Sequence, residues 1–206
     1  MRPTENHNQN RDSMSFRIIL ASTSPFRRQL LDKLGLKFGT ASPNIDEERR
    51  EGEDPAALVQ RLALEKAEAV AKSYPEALII GSDQVACLAD KVLGKPGNFD
   101  KAFTQLNEAS GKSVIFLTGL CLLNSATGKS QVICEPFQVH FRELEPAQIK
   151  KYLNREQPYN CAGSFKSEGL GISLFERLEG DDPNSLIGLP LIRLITMLEK
   201  EGVAVL

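Results

Sequence analysis

Histidine and tryptophan are the scarcest side chains in this sequence, which has two histidines and no tryptophan. His7 lies in a polar N-terminal segment, so a catalytic triad with a histidine base could use only His140. A zinc site built from several histidines and cysteines also lacks ligands. If the protein is an enzyme, we therefore expect a carboxylate as its base and oxygen atoms around any metal.

The spacing of the cysteines does not indicate a redox or metal site. None of the four cysteines forms a C-x-x-C pair, and each lies in an apolar or mixed stretch. This pattern favours reduced, structural thiols over disulfides or a metal site. The four residues are Cys87, Cys121, Cys134 and Cys161.

Long apolar runs and a basic excess are also missing. No run is long enough to span a membrane, and residues 1–15 lack the apolar core of a signal peptide. We expect a disordered polar tail over 1–15, a single domain over 16–206 and a cytoplasmic protein. The net charge of −2 argues against a broad nucleic-acid-binding face.

The order of the predicted elements indicates a mixed α/β fold. Strands and helices alternate early in the chain, whereas hairpins dominate later. Apolar runs predict strands at 16–20, 36–41, 77–83, 113–124, 130–143 and 171–180, with a hairpin turn at 89–91. Helical spacing predicts helices at 25–34, 55–74, 99–109, 145–154 and 189–200.

The stretch IILASTSPFRRQLL predicts a strand, a tight turn and a helix. Ser24 is a suitable N-cap, and Pro25 suits the first helical position. Hydroxyls, guanidinium groups and the positive end of a helix would meet in this turn, which is typical of a phosphate site. An ordinary capped helix with solvated arginines is the alternative. The candidate phosphate-binding residues are Ser22, Ser24, Arg27 and Arg28.

Four further charged residues are candidates for chemistry. Asp83 is predicted to end a strand, where it could hold Mg²⁺ or take a proton from water, or simply form a turn. Lys66 falls on the apolar stripe of its helix, so it either extends to solvent or points into a cleft. Lys95 and Glu47 lie in loops. The set suits pyrophosphoryl chemistry with a hard divalent metal.

From Arg17 almost to its end, the chain resembles the Maf family of nucleoside triphosphate pyrophosphatases. The segments that carry the resemblance are LASTSPFRRQLL, LALEKA, IIGSDQV, LGKP, CAGSFKSEG and GDDPNSLIGLPL, in the family's order. The resemblance implies two lobes around a central cleft, as in Maf and ITPase folds. It also implies dependence on a divalent cation (Mg²⁺ or Mn²⁺) and cleavage between the α- and β-phosphates of a nucleotide.

The resemblance also implies roles for individual residues. Asp83 matches the family's proton acceptor, and Glu47 matches a carboxylate near the metal, so both are expected to hold the cation. Ser22 and Arg27 match the phosphate-binding turn. The two cleft lysines correspond to Lys66 and Lys95.

Three positions are similar to the N7-methyl-GTP branch of the family: Phe26, Gln84 and Glu168. N7-methylguanine is positively charged, so an aromatic ring and a carboxylate both favour it. The branch usually has tryptophan where this chain has Phe26. The expected reaction is hydrolysis of N7-methyl-GTP to N7-methyl-GMP and diphosphate.

Two alternatives remain at this point. One is a pyrophosphatase of the same family that acts on dTTP, UTP or CTP, and the other is a nucleotide-binding regulator of cell division without turnover. A small nucleotide is the expected partner under every one of these hypotheses, with no nucleic acid and no membrane. The oligomeric state, including a homodimer, stays open.

Overall fold

A seven-stranded mixed sheet runs through the protein in the computed structural model, which describes residues 16–206. The strands are β1 (Arg17–Ala21), β2 (Phe38–Ala41), β3 (Ala77–Leu88), β4 (Lys91–Leu93), β5 (Ser113–Asn124), β6 (Lys129–Phe141) and β7 (Phe175–Glu179). The helices are α1 (Pro25–Asp32), α2 (Pro55–Ala71), α3 (Phe99–Ala109), α4 (Pro146–Glu156), α5 (Pro183–Ile187) and α6 (Leu191–Lys200).

The sheet order follows from the connections. The strands lie in the order β2-β1-β3-β5-β6-β7, and β4 pairs with β3 outside this path. β1 is parallel to β2 and β3, because the helices α1 and α2 return the chain across the sheet. The pairs β3–β5, β5–β6 and β6–β7 are antiparallel. This mixed α/β architecture confirms the predicted fold class.

Two lobes share the long strands β3 and β5. In one lobe, α3 and α4 pack against the sheet around Phe116, Leu106 and Leu153. In the other, α1 and α6 cover one face of the sheet and α2 covers the opposite face. Leu31 and Ile79 are fully buried on these two faces. The cleft between the lobes is therefore lined from both cores.

Two glycines let α2 lie unusually close to the sheet. A Cβ at Gly81 of β3 would overlap the carbonyl oxygen of Ala63, and a Cβ at Gly119 of β5 would overlap that of Val59. Gly119 pairs directly with Asp83 in the β3–β5 ladder. The close approach of α2 thus occurs beside Asp83, at the site of the predicted chemistry.

The structure corrects several predicted boundaries. Asp83 does not end a strand, because β3 continues to Leu88 and stays paired with β5 as far as Cys87. The predicted strand at 171–180 begins with a 3-10 helix (Leu170–Leu174), and only β7 is extended. The short α5 was not predicted, although Asp182 as N-cap and Pro183 at the first position are ordinary start signals. The tail predicted over 1–15 lies outside the described residues.

Candidate active site

A cleft of about 760 Å³ opens between the two lobes. Its volume is in the range of small-molecule sites. Ten of the eleven candidate residues line it: Ser22, Ser24, Phe26, Arg27, Glu47, Lys66, Asp83, Gln84, Lys95 and Glu168. Arg28 does not line the cleft. It follows Arg27 on α1, and neighbouring helical residues point about 100° apart, so Arg28 is exposed on the other side of the helix.

Lys66 joins two carboxylates at the bottom of the cleft. Its Nζ lies 2.6 Å from Oδ1 of Asp83 and 2.8 Å from Oε1 of Glu47. Lys66 is 5% exposed and Asp83 is 9% exposed, whereas the side chain of Glu47 is 57% exposed. The buried stripe of α2 therefore turns this lysine into the cleft, as the second of the two sequence interpretations expected.

The charges of the cleft act on Glu47. Burial raises the pKa of this carboxyl, but the hydrogen bond from Lys66 and the charges of Lys95 and Arg27 outweigh that effect. The net result is a pKa below the usual range for glutamate. Glu47 therefore carries its negative charge at neutral pH and faces three cationic side chains.

Arg27 is held by the end of α5. Its Nε donates to the carbonyl oxygen of Gly188 at 2.9 Å, and the hydroxyl of Ser82 donates to the same oxygen at 2.9 Å. Burial lowers the pKa of Arg27, and the charges of Asp83 and Glu47 oppose this shift. An arginine guanidinium has five N–H donors, so four remain for other partners.

The turn before α1 has fewer N–H groups to offer than its sequence indicated. The N–H of Ser22 donates to Leu20, that of Ser24 donates to the hydroxyl of Ser22, and that of Arg27 donates to the hydroxyl of Ser24. Both serine hydroxyls accept in these bonds, so their O–H hydrogens remain available to an anion. The hydroxyls and Arg27, more than the backbone, can hold phosphate here.

Gln84 is fixed from the side opposite Asp83, because consecutive residues of β3 face opposite sides of the sheet. Its Nε2 lies 2.7 Å from the carbonyl oxygen of Ser185, 3.2 Å from that of Leu186 and 2.9 Å from the hydroxyl of Thr118. The amide nitrogen is used by these bonds. The carbonyl oxygen is consequently the part of Gln84 that remains to accept from a bound molecule.

A comparison with protein families shows which family the chain belongs to. A family model described as Maf-like protein matches residues 17–201. The chain belongs to the Maf family. It is 66% identical over 186 residues to the 7-methyl-GTP pyrophosphatase of Alcanivorax borkumensis, covering 90% of this chain and 94% of that one. It is 60% identical over 189 residues to the 7-methyl-GTP pyrophosphatase of Colwellia psychrerythraea, covering 92% and 94%.

A solved structure supports the fold at a greater distance. The Ham1 protein of Staphylococcus aureus aligns with a TM-score of 0.52 at 12% identity, covering 90% of this chain and 99% of that one. At this identity the likeness concerns the fold alone. It agrees with the expected two-lobed architecture of the Maf family.

The donor set of this Maf protein fits a hard divalent cation that also binds a substrate. Asp83 and Glu47 each use one carboxylate oxygen on Lys66, which leaves the second oxygen of each as a donor. Within residues 16–206, no group of three or more histidine, cysteine or acidic side chains could hold a metal ion alone. Mg²⁺ commonly binds through one or two carboxylates together with substrate phosphates.

Several cleft residues were not singled out from the sequence. Phe116 and Phe165 form an apolar wall from the second lobe, with ring centroids 5.3 Å apart. Phe165 lies inside the segment CAGSFKSEG, which the sequence analysis used only for Glu168. The carbonyl oxygen of Gly188 holds Arg27, and Ser82 donates to that same oxygen. Their role depends on contacts between distant segments, and no local pattern marks it.

The remaining predictions concern thiols and membranes. All four cysteines are free, as predicted, and burial raises the pKa of Cys121 to about 12. One of the four, Cys161, lines the cleft. Among the helices that the structure describes, none is long and apolar enough to cross a membrane.

Proposed function

We propose that this Maf protein hydrolyses N7-methyl-GTP to N7-methyl-GMP and diphosphate. The observation that carries the proposal is a single cleft that combines Asp83, Lys66 and Arg27 with Phe26 and Glu168. Relatives 66% and 60% identical to this chain are named for the same substrate. The proposal thus rests on both the chemistry of the cleft and its close relatives.

The phosphate end of the substrate would meet the cationic part of the cleft. Arg27, Lys66 and Lys95 supply positive charge, and the hydroxyls of Ser22 and Ser24 supply neutral donors. Preorganised donors of this kind stabilise the charge that develops on phosphate oxygens as the bond breaks. Asp83 accepts the proton of the attacking water, whose oxygen bonds to phosphorus while the bond to the diphosphate leaving group breaks.

Asp83 and Glu47 would hold the divalent cation together with phosphate oxygens. Bound there, Mg²⁺ or Mn²⁺ would withdraw charge from the phosphates as a Lewis acid. Metal binding can be measured separately from turnover by titrating Mn²⁺ against the protein with a non-hydrolysable triphosphate. We expect Glu47→Gln to weaken that binding by at least about tenfold, because even the partners that orient metal ligands cost about 10- to 100-fold in affinity when they are replaced.

The base end would meet Phe26, Gln84 and Glu168. A ring that faces the positively charged N7-methylguanine gains a cation–π attraction of about 0.5 to 2 kcal/mol. The carboxylate of Glu168 and the carbonyl oxygen of Gln84 can accept from the N–H edge of guanine. Neutral guanine would lose the cation–π part of this recognition, and pyrimidines would fill less of the cleft.

The test is release of diphosphate from N7-methyl-GTP, GTP, dTTP, UTP and CTP in the presence of Mg²⁺ or Mn²⁺. We expect a preference for N7-methyl-GTP, with turnover abolished in Asp83→Asn but binding of the nucleotide retained. Faster turnover of pyrimidine nucleotides would reject the base assignment and keep the enzyme class. Binding without turnover in the wild-type protein would instead favour a nucleotide-binding regulator.

A further inference from the structure

The loop of residues 166–171, which carries Glu168, is fastened at both ends to α4. At its start, the N–H of Lys166 donates to the hydroxyl of Tyr152 at 3.1 Å. At its end, the N–H of Leu170 donates to Oε2 of Glu156 at 2.8 Å. Glu168 lies between these two attachments and faces the cleft.

Glu156 makes most of this attachment. Its Oε1 lies 3.5 Å from Nζ of Lys166, and its backbone carbonyl accepts from the same Nζ at 3.2 Å. A Cβ at Gly169 would lie 3.0 Å from both carboxylate oxygens, so the loop backbone passes directly over the carboxylate. The side chains of Glu156 and Lys166 are 19% and 29% exposed, so water only partly screens the pair.

The loop also closes on itself, but that closure does not attach it to the rest of the protein. The carbonyl oxygen of Lys166 accepts from the N–H groups of Gly169 at 3.3 Å and Gly171 at 3.1 Å. Glu168 itself is exposed, and Ser167 donates to it at 3.3 Å. Leu170 also packs against the core, so the end of the loop stays in place without these contacts. Loss of the contacts to Tyr152 and Glu156 would instead free residues 166–169, which include Glu168.

We propose that Glu156 is a positioning residue that sets base selectivity by holding Glu168 at the cleft. The inference rests on the proposed function, because it concerns how the same site recognises N7-methylguanine. A carboxylate held in place loses less conformational freedom when it binds than one on a mobile loop. Glu156 therefore acts on the substrate through Glu168 and without touching it.

The experiment compares kcat and KM for N7-methyl-GTP and GTP in the wild-type protein and three single variants. In Glu156→Ala we expect kcat/KM for N7-methyl-GTP relative to GTP to fall about tenfold, the effect of losing a charge-assisted hydrogen bond. Glu156→Gln keeps an acceptor for the N–H of Leu170, so the ratio of the two kcat/KM values should fall less in this variant. Glu199→Ala is the matched control, since Glu199 is exposed in the last turn of α6.

A double variant separates positioning from general stability. If Glu156 acts through Glu168, then adding Glu156→Ala to Glu168→Ala should cause no further loss of selectivity. An equal loss of kcat/KM for both nucleotides, with the ratio unchanged, would overturn the proposal. It would assign Glu156 a structural role only. The thermal midpoint of each variant shows whether it is folded.

A second readout does not depend on the substrate. Trypsin cleaves after lysine, and Lys166 is fastened by both of its attachments, so Glu156→Ala should be cut there faster than the wild-type protein. If the wild-type protein shows no preference for N7-methyl-GTP, the proposed function fails. In that case, faster cleavage of Glu156→Ala would still show that Glu156 attaches the loop to α4. An unchanged cleavage rate would reject this attachment as well.

Discussion

The Nε of Arg27 donates a 2.9 Å hydrogen bond to the carbonyl oxygen of Gly188, which lies 161 positions later in the chain. This bond joins the first turn of α1 to the end of α5. The neighbouring carbonyl oxygens of Ser185 and Leu186 lie against Gln84. One helix end consequently supports both Arg27, which we propose binds the phosphates, and Gln84, which we propose contacts the base.

Replacing Arg27 should therefore be more damaging than replacing its neighbour. Arg27→Lys keeps the positive charge but loses the planar fork that binds Gly188 and phosphate together. We expect kcat/KM to fall at least about tenfold. Arg28→Lys on the same helix is the matched control and should change little, and an equal loss in both variants would contradict the placement of Arg28 outside the cleft.

The effect of replacing Phe26 on KM should depend on the charge of the base. Tryptophan is the stronger cation–π partner, so Phe26→Trp should lower KM for N7-methyl-GTP by about two- to fivefold. Phe26→Leu should raise it. GTP serves as the control substrate because its guanine ring is neutral. Parallel changes for both nucleotides would show that Phe26 contributes area and not charge recognition.

Gly81 should tolerate no side chain. Gly81→Ala would force α2 away from β3, which we expect to lower the free energy of unfolding by about 1 to 3 kcal/mol. It should also reduce turnover, because Lys66 moves away from Asp83. Gly94→Ala is the stability control, since no atom lies within 4 Å of a Cβ there. Denaturant titration of both variants measures the difference.

The contacts that hold the loop of Glu47 should contribute less stability in acid. Arg61 lies 2.6 Å from Glu53 and also donates to the backbone carbonyl of Glu48 at 3.1 Å. The hydrogen bond from Arg61 lowers the pKa of Glu53 from 4.5 to about 2. Because the folded pKa is the lower one, the stabilisation is complete above pH 4.5 and is lost as pH falls towards 2.

This dependence can be measured with two matched variants. Glu53→Gln should be less stable than the wild-type protein at pH 7, and the difference should shrink between pH 4.5 and 2. Glu51→Gln, from the same loop but exposed, should show no such dependence. A difference for Glu53→Gln that stays constant with pH would mean that the ion pair is not its cause.

The sequence predicted the fold class and most element positions because apolar periodicity and capping residues are local signals. It misplaced the end of β3 because Gly81, Ser82 and Asp83 are residue types that favour turns. Their extended conformation comes from pairing with β5, a contact between distant segments. The interpretation of Lys66 stayed open for the same reason, since only the position of α2 on the sheet decides where the side chain points.

The candidate site was predictable to a similar extent. The local turn pattern and the motif resemblance together named eleven residues, and ten of them line the cleft. The exception, Arg28, came from the turn pattern and not from the resemblance. The resemblance assigned no role to the supporting residues, such as Ser82, which shares the Gly188 carbonyl oxygen with Arg27, and Glu156, which holds the loop of Glu168. These residues contribute hydrogen bonds across long sequence separations, which neither spacing nor composition records.

The close approach of α2 to Gly119 has a consequence for the interpretation of genetic variants. Every other amino acid carries at least a Cβ, so any missense change at this codon places an atom where the carbonyl oxygen of Val59 lies. Such an allele would keep every charged group of the cleft and still separate Lys66 from Asp83. Intact motif residues are therefore not enough to class a Maf gene copy as active. The codon of Gly119, which lies outside the motif segments, has to be checked beside them.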